Sequence, residues 1–217
     1  MNLRIIIISL LLLIGSLSLD AQVLGKLDTS VDAYVREWRG ERLAVPVDGW
    51  LRLAPAAFDL AAGALGLDAC RDFVGRGIEA ALTFGTLTAV TEGLKYSIHS
   101  VRPDGTDDHS FPSGHAGVAF AGAELVRMEY GWGWGAGAYA VATSVAALRL
   151  YNGRHWLSDV FAGAGIGILS AHIGAWLTDP AQRLLGLDPD RTDFTLIPVQ
   201  GPYPTEISWN AGFSYSF

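Results

Sequence analysis

Hydrophobic and polar positions along the chain predict a mainly helical protein. After residue 50, long apolar segments alternate with short stretches that contain glycine, proline and polar residues, a pattern typical of helices joined by turns. Five helices are predicted, at about 51–65, 74–100, 115–130, 132–150 and 155–178. We therefore expect an all-α fold, a helical bundle of about five core helices.

The two ends of the chain follow different patterns. Residues 5–19 form an apolar run after Arg4, which is typical of an export signal, with an uncleaved first transmembrane helix as the alternative. From Ile207 to Phe217 apolar and small or polar residues alternate strictly, which indicates a β-strand. The pattern predicts a short C-terminal β-hairpin that covers the helical body, because one hairpin cannot close an outer-membrane barrel.

These segments predict a domain organisation of four parts. They are a signal peptide at 1–21, an exposed N-terminal arm or short helices at 22–50, the helical domain at 51–180 and a tail with the hairpin at 181–217.

Composition narrows the class of protein. Of the 217 residues, 50% are hydrophobic and only 17% are charged, which favours a membrane-embedded or tightly membrane-associated bundle. The net charge of −7 argues against a nucleic-acid partner, since nucleic acids require a surplus of Lys and Arg. The single cysteine, Cys70, cannot form an internal disulfide. No obligatory protein partner is indicated.

Polar residues gather where the predicted helices begin and end. If consecutive helices run antiparallel, four of these ends lie on one face of the bundle. The residues brought together are Lys95, Arg102, Ser113, Gly114, His115, Arg149, His155 and Asp159.

Such a cluster is suited to binding phosphate. Arginine forks match phosphate oxygens, and the main-chain N–H groups of Ser113 and Gly114 lie where a helix begins, a position that favours an anion. His155 and Asp159 are four residues apart, so the carboxylate is expected to orient the imidazole for nucleophilic attack. His115 is then the candidate acid that protonates the leaving oxygen.

Each residue also has an ordinary structural explanation. Lys95 and Arg102 fit charges at a membrane boundary, Asp159 a helix cap and His115 a packed core side chain. A metal site built on His155, Asp159 and His115 is the main chemical alternative, but the three nearby cations would repel a divalent ion. We therefore expect no metal and no other cofactor. Of the remaining histidines, His99 and His109 fall near this face, and His172 is expected to pack or to face a lumen.

Three ordered motifs resemble those of the type 2 phosphatidic acid phosphatase superfamily. Its pattern is K-x6-R-P, then P-S-G-H, then S-R-x5-H-x3-D, and the chain matches it at 95–103, 112–115 and 149–159. The serine that precedes the arginine of the third motif is Leu148 here. The resemblance covers about residues 50–180 and implies a phosphohistidine at His155, with Asp159 orienting it and His115 as acid and later base. It also implies that Lys95, Arg102, Ser113, Gly114 and Arg149 bind phosphate without a metal.

The resemblance implies a phosphatase that acts on phosphate monoesters or pyrophosphates. The apolar helices favour a phosphorylated lipid as substrate and the bacterial inner membrane as location, with the site facing the periplasm. The alternatives are a soluble periplasmic acid phosphatase, a vanadium-dependent haloperoxidase and a non-enzymatic envelope protein.

Overall fold

A computed structural model of the chain describes residues 21–187, 192–200 and 207–215, the last two by their backbone. The helices of the described part are α1 Ala21–Arg39, α2 Asp48–Leu51, α3 Ala54–Ala64, α4 Phe73–Ser97, α5 Gly114–Tyr151 and α6 Leu157–Leu184. The prediction of a mainly helical protein is confirmed, and the predicted export signal lies outside the described residues.

The predicted helices at 115–130 and 132–150 are the two halves of α5. Gly131, at φ 76° and ψ −178°, interrupts the helix, and such a positive φ is easily adopted only by glycine. The halves then fold back on each other, with the ring centroids of Phe120 and Tyr139 5.8 Å apart. Because the two halves of α5 run antiparallel, Arg149, near the end of α5, lies at the end of the bundle at which α5 begins.

Glycines on α6 allow this helix to approach its neighbours closely. Gly163, Gly167 and Gly174 are buried within α6. A Cβ at 163 would overlap the carbonyl oxygen of Ser113, and one at 167 would overlap that of Gly117. The backbone of α6 therefore lies directly against the start of α5, which is the segment that carries the P-S-G-H motif.

We expect Gly163→Ala to destabilise the protein, because the added methyl must push α5 away from α6. Overpacking of this kind costs about 1–3 kcal/mol, to be measured as a lower free energy of unfolding in denaturant. Gly165→Ala is the matched control, since a Cβ there meets nothing within 4 Å. It should leave stability unchanged or raise it by up to about 1 kcal/mol. Equal stability of both variants would contradict the close packing of α5 on α6.

The segment 22–50, predicted as an exposed arm or short helices, contains α1 and α2 and reaches the polar end of the bundle. The Asp28 carboxylate accepts hydrogen bonds from the main-chain N–H (2.9 Å) and the hydroxyl (2.7 Å) of Ser158, in the first turn of α6. Arg39 donates to the carbonyl of Tyr151 at 2.9 Å, and Asp48 is buried. These contacts fasten the segment to the helical body.

Two strands follow the helices, β1 Thr192–Gln200 and β2 Ile207–Tyr215. They pair antiparallel, with Thr192 opposite Tyr215 and Gln200 opposite Ile207. The residues that would join them, 201–206, lie outside the described part. The packing of a hairpin over the helical body stays a prediction.

In the described part of the chain, one helix, α6, is long and apolar enough to cross a membrane. Its exposed side chains include the large apolar residues Phe161, Leu169, Ile173 and Trp176.

Candidate active site

The predicted site residues meet at one end of the bundle. Arg102, in the link after α4, lies with its Nη1 3.3 Å from Nε2 of His155, which precedes α6. The N–H of Ser113, just before α5, donates to the main-chain oxygen of Asp159 at 3.0 Å. Residues from the ends of three helices are thereby brought together at one end of the bundle, as the antiparallel arrangement of the helices requires.

His155 is held in one tautomer. Its ring is buried, and Nδ1 lies 2.8 Å from the carbonyl oxygen of Ser110, an acceptor, so Nδ1 must carry the proton. Nε2 faces Arg102, which can only donate, so Nε2 carries the lone pair. Burial, assisted by the charges of Arg149 and Arg102, lowers the pKa of His155. The imidazole is therefore neutral, with the Nε2 lone pair available to attack an electrophile.

Asp159 supports His155 less directly than the sequence predicts. Its Oδ2 accepts from the Ser110 hydroxyl at 2.5 Å and from the Trp156 N–H at 2.8 Å, but lies 3.7 Å from Nδ1 of His155. The expectation of a carboxylate bonded to the imidazole assumed helical spacing, whereas α6 begins only at Leu157. Asp159 caps its helix, and Ser110 links it to His155.

His115 lies in the first turn of α5, with Nδ1 3.4 Å from Nη1 of Arg52. Burial, followed by the charges of Arg149 and Arg52, lowers its pKa to about 3, against an opposing effect of Asp48. The ring is therefore neutral when the pocket holds no anion. A bound anion would oppose these cations and raise the pKa of His115.

Three of the cations predicted to bind phosphate have a carboxylate partner. Arg102 Nε donates to Asp107 at 2.7 Å, and Arg149 Nη1 to the buried Asp48 at 2.6 Å. Nζ of Lys95 lies 3.3 Å from Oε1 of Glu92. Arg52 is a further cation: its side chain lies within hydrogen-bonding distance of His115, and no carboxylate among the described residues forms an ion pair with it. The set of charged residues at this site is thus larger than the three motifs indicate, because Asp48 and Arg52 both come from the segment before α3.

The start of α5 differs from the predicted anion site in one respect. The main-chain N–H of Ser113 is used by the oxygen of Asp159, so it is not available to phosphate. The Ser113 side chain is buried and caps the helix, accepting from the N–H of Ala116 at 3.4 Å. Gly114 remains well placed, since a Cβ there would lie 3.7 Å from Nζ of Lys95. Phosphate binding by Gly114 and by the Ser113 hydroxyl stays a prediction.

The rings of the other three histidines contact residues outside the predicted site, although the main-chain oxygen of His109 accepts from Arg102 at 3.3 Å. The rings of His99 and His109 have centroids 6.3 Å apart, and His109 Nδ1 is 3.0 Å from Asp108. His172 is 48% exposed at its side chain, and its Nε2 lies 2.8 Å from the buried Glu124. The described residues contain no group of three or more His, Cys, Asp or Glu side chains placed to hold a metal ion. Metal independence stays a prediction.

Comparison with known proteins identifies the family. The PAP2 superfamily model matches residues 76–183, a range that contains all three motifs. The chain belongs to this superfamily, that of the type 2 phosphatidic acid phosphatases.

A relative with a named activity is the lipid A 1-phosphatase of Porphyromonas gingivalis. It is 37% identical over 123 residues, which are 55% of this chain but only 27% of that protein. The chain thus spans about a quarter of the length of the curated relative that it matches.

Two solved structures are similar. The transmembrane PAP2-type phosphatidylglycerolphosphate phosphatase of Bacillus subtilis has a TM-score of 0.53 and 20% identity, over 82% of this chain and 96% of that one. Aquifex aeolicus LpxE has a TM-score of 0.49 and 23% identity, over 65% of this chain and 92% of that one. The likeness to the Bacillus protein extends the shared fold beyond the motifs.

Proposed function

We propose that the protein is a metal-independent phosphatase that removes phosphate from a lipid in the bacterial envelope. The observation that carries the proposal is the pair of imidazoles at the helix ends. His155 presents an unprotonated Nε2 beside Arg102, and His115 lies among the cations of the same pocket. This is the arrangement needed for transfer of a phosphoryl group to one histidine while the other acts as general acid and then as general base.

The reaction has two steps. Nε2 of His155 attacks phosphorus, and the bond from phosphorus to the leaving oxygen breaks as that oxygen takes a proton from His115. The product of this step is a phosphohistidine. His115, now neutral, removes a proton from water, which attacks phosphorus and releases inorganic phosphate and free His155.

The cations serve both steps by stabilising the charge on the phosphoryl oxygens. Arg102 lies beside the nucleophile, and three further hydrogen-bond acceptors, Asp107, Arg154 O and His109 O, hold its guanidinium in place. Arg149 is similarly fixed by Asp48. A fixed donor needs no reorganisation as charge moves, and this is the main source of electrostatic catalysis.

A lipid substrate is supported by the apolar surface beside the site. Leu43 is 87% exposed and Trp50 82% exposed, and Trp50 lies two residues from both Asp48 and Arg52. Large exposed apolar side chains around a polar pocket suit a molecule with a charged head and an apolar chain. The similarity to a lipid A 1-phosphatase and the apolar exterior of α6 support the same class of substrate and a membrane location. The proposed export signal supports a site that faces the periplasm.

The test is phosphate release by the purified full chain in detergent. The panel contains lipid A, phosphatidylglycerol phosphate, an isoprenoid diphosphate and p-nitrophenyl phosphate, each with and without EDTA or vanadate. We expect hydrolysis of at least one lipid, unaffected by EDTA and blocked by vanadate. Hydrolysis of the soluble ester alone would point to an acid phosphatase, and vanadate-dependent halide oxidation to a haloperoxidase. No reaction in any assay would contradict the proposal.

A further inference from the structure

A short segment outside the family match contributes charge to the active site. We name residues 45–52 the strap. Its start is fastened by Asn152, whose side-chain amide accepts from the N–H of Val45 and donates to its carbonyl, both at 2.9 Å. Its middle is fastened by Asp48, which pairs with Arg149 at 2.6 Å. The strap therefore holds Arg52, its last residue, in a defined place beside His115.

Arg52 differs from the other cations of the pocket. Its Nε is buried and has no hydrogen-bond partner in the described part of the chain, and no carboxylate there forms an ion pair with it. Arg102, Arg149 and Lys95 are each neutralised by a carboxylate. Arg52 thus supplies positive charge without an ion-pair partner among the described residues. Burying a guanidinium without a partner costs free energy, because the charge loses contact with water. An anionic ligand that paired with Arg52 would offset this cost.

The position of Arg52 relative to the two imidazoles indicates which anion Arg52 would bind. In phosphoryl transfer the attacking and leaving atoms lie on opposite sides of phosphorus. Arg102 lies beside the attacking nitrogen, 3.3 Å from Nε2 of His155, whereas Arg52 lies 3.4 Å from Nδ1 of His115, the proposed acid. In the proposed mechanism the leaving oxygen lies next to His115, which puts Arg52 on the leaving-group side.

We propose that Arg52 is a further substrate-contacting residue, which binds an anionic oxygen on the leaving group and so favours lipid diphosphates over lipid monophosphates. The proposal rests on the proposed phosphatase function. With a diphosphate, the Nε2 of His155 bonds to the terminal phosphorus and the bond to the bridging oxygen breaks. That oxygen keeps the electron pair, and the lipid monophosphate leaves with its new charge beside Arg52. Water then releases the terminal phosphate.

The test compares two substrates that share one apolar chain, farnesyl diphosphate and farnesyl monophosphate, with initial rates of phosphate release. Arg52→Gln should lower kcat/KM on the diphosphate by about 10- to 100-fold more than on the monophosphate, the range expected for one hydrogen bond to a charged group. Arg52→Lys, which keeps the charge, should restore part of the loss on the diphosphate. The control is Arg42→Gln, an exposed arginine whose guanidinium lies over Trp38, and it should change neither rate.

The outcomes separate this inference from the proposed function. An equal loss on both substrates, or no loss, would overturn the role of Arg52 while phosphatase activity stands. Hydrolysis of a lipid monophosphate but not of the diphosphate by the wild-type protein would likewise overturn the role of Arg52 and leave the proposed phosphatase function intact. A wild type that hydrolyses no phosphorylated lipid would overturn both. Should Arg52→Gln fail to fold, as judged by thermal unfolding, the diphosphate-to-monophosphate ratio of Arg52→Lys decides, and an unchanged ratio counts against the proposal.

Discussion

His155→Ala is expected to abolish phosphate release, with a fall in kcat of about 10⁴-fold or more. The substitution removes the nitrogen that would bond to phosphorus, and no other imidazole can replace it, because His115 faces Arg52 and not Arg102. The measurement is turnover on the best substrate of the panel. It is accompanied by labelling of the protein with a substrate that carries ³²P, since wild type should form an acid-labile phosphohistidine.

A matched control is His172→Asn, a histidine on α6 that contacts Glu124 and not the pocket. This variant should keep wild-type turnover and labelling. If His155→Ala is folded and retains turnover, the assignment of the nucleophile is wrong. If it loses turnover while the label still appears, another residue forms the covalent intermediate.

His115→Asn is expected to have the second largest effect, and its size should depend on the leaving group. A lipid alkoxide needs a proton in order to leave, so its rate should fall by about 10²- to 10⁴-fold. p-Nitrophenolate leaves without a proton, so phosphorylation of His155 should be little affected. In the proposed mechanism His115 also activates water, so the phosphoenzyme should then accumulate, and p-nitrophenol should appear as a burst equal to the amount of enzyme.

The pH behaviour of the free enzyme follows from the same side chain. The pKa of His115 is lowered to about 3, so it is neutral in the empty pocket at pH 5–8. To act as an acid, His115 must take up a proton with the substrate, or after the bound phosphate has raised the pKa of His115. Equal losses on the alkyl and the nitrophenyl ester, without a burst, would show that His115 positions the phosphate and does not transfer a proton.

Much of the fold could be predicted from the sequence because its signals are local. Glycine and proline mark the ends of apolar segments, and each of the predicted core helices is found within a few residues of its expected place. The break at Gly131 was also predictable, since its positive φ is a property of glycine itself. The turn at Gly131 and the short link 152–156 then leave few ways to arrange the motif residues, and those residues do meet at one end.

The partners of the motif residues could not be predicted in this way. Ser110 joins His155 to Asp159 through a carbonyl and a hydroxyl, and a main-chain carbonyl leaves no signal in a sequence. Asp48 and Arg52 lie about 100 and 63 residues from their partners Arg149 and His115, in a stretch that looks like a polar arm. Such contacts depend on tertiary packing, which the spacing of one motif does not encode.

The strap also shows that the candidate active site includes residues that precede the family motifs. Residues 76–183 carry every motif of the family, yet the guanidinium of Arg149 is neutralised and aligned by a carboxylate 28 positions before that range starts. A fragment trimmed to the shared motifs would leave this buried charge uncompensated and would lack the cation beside His115. A chimera that keeps the surroundings of Arg149 and His115 must therefore include the stretch around Trp50 along with the helices.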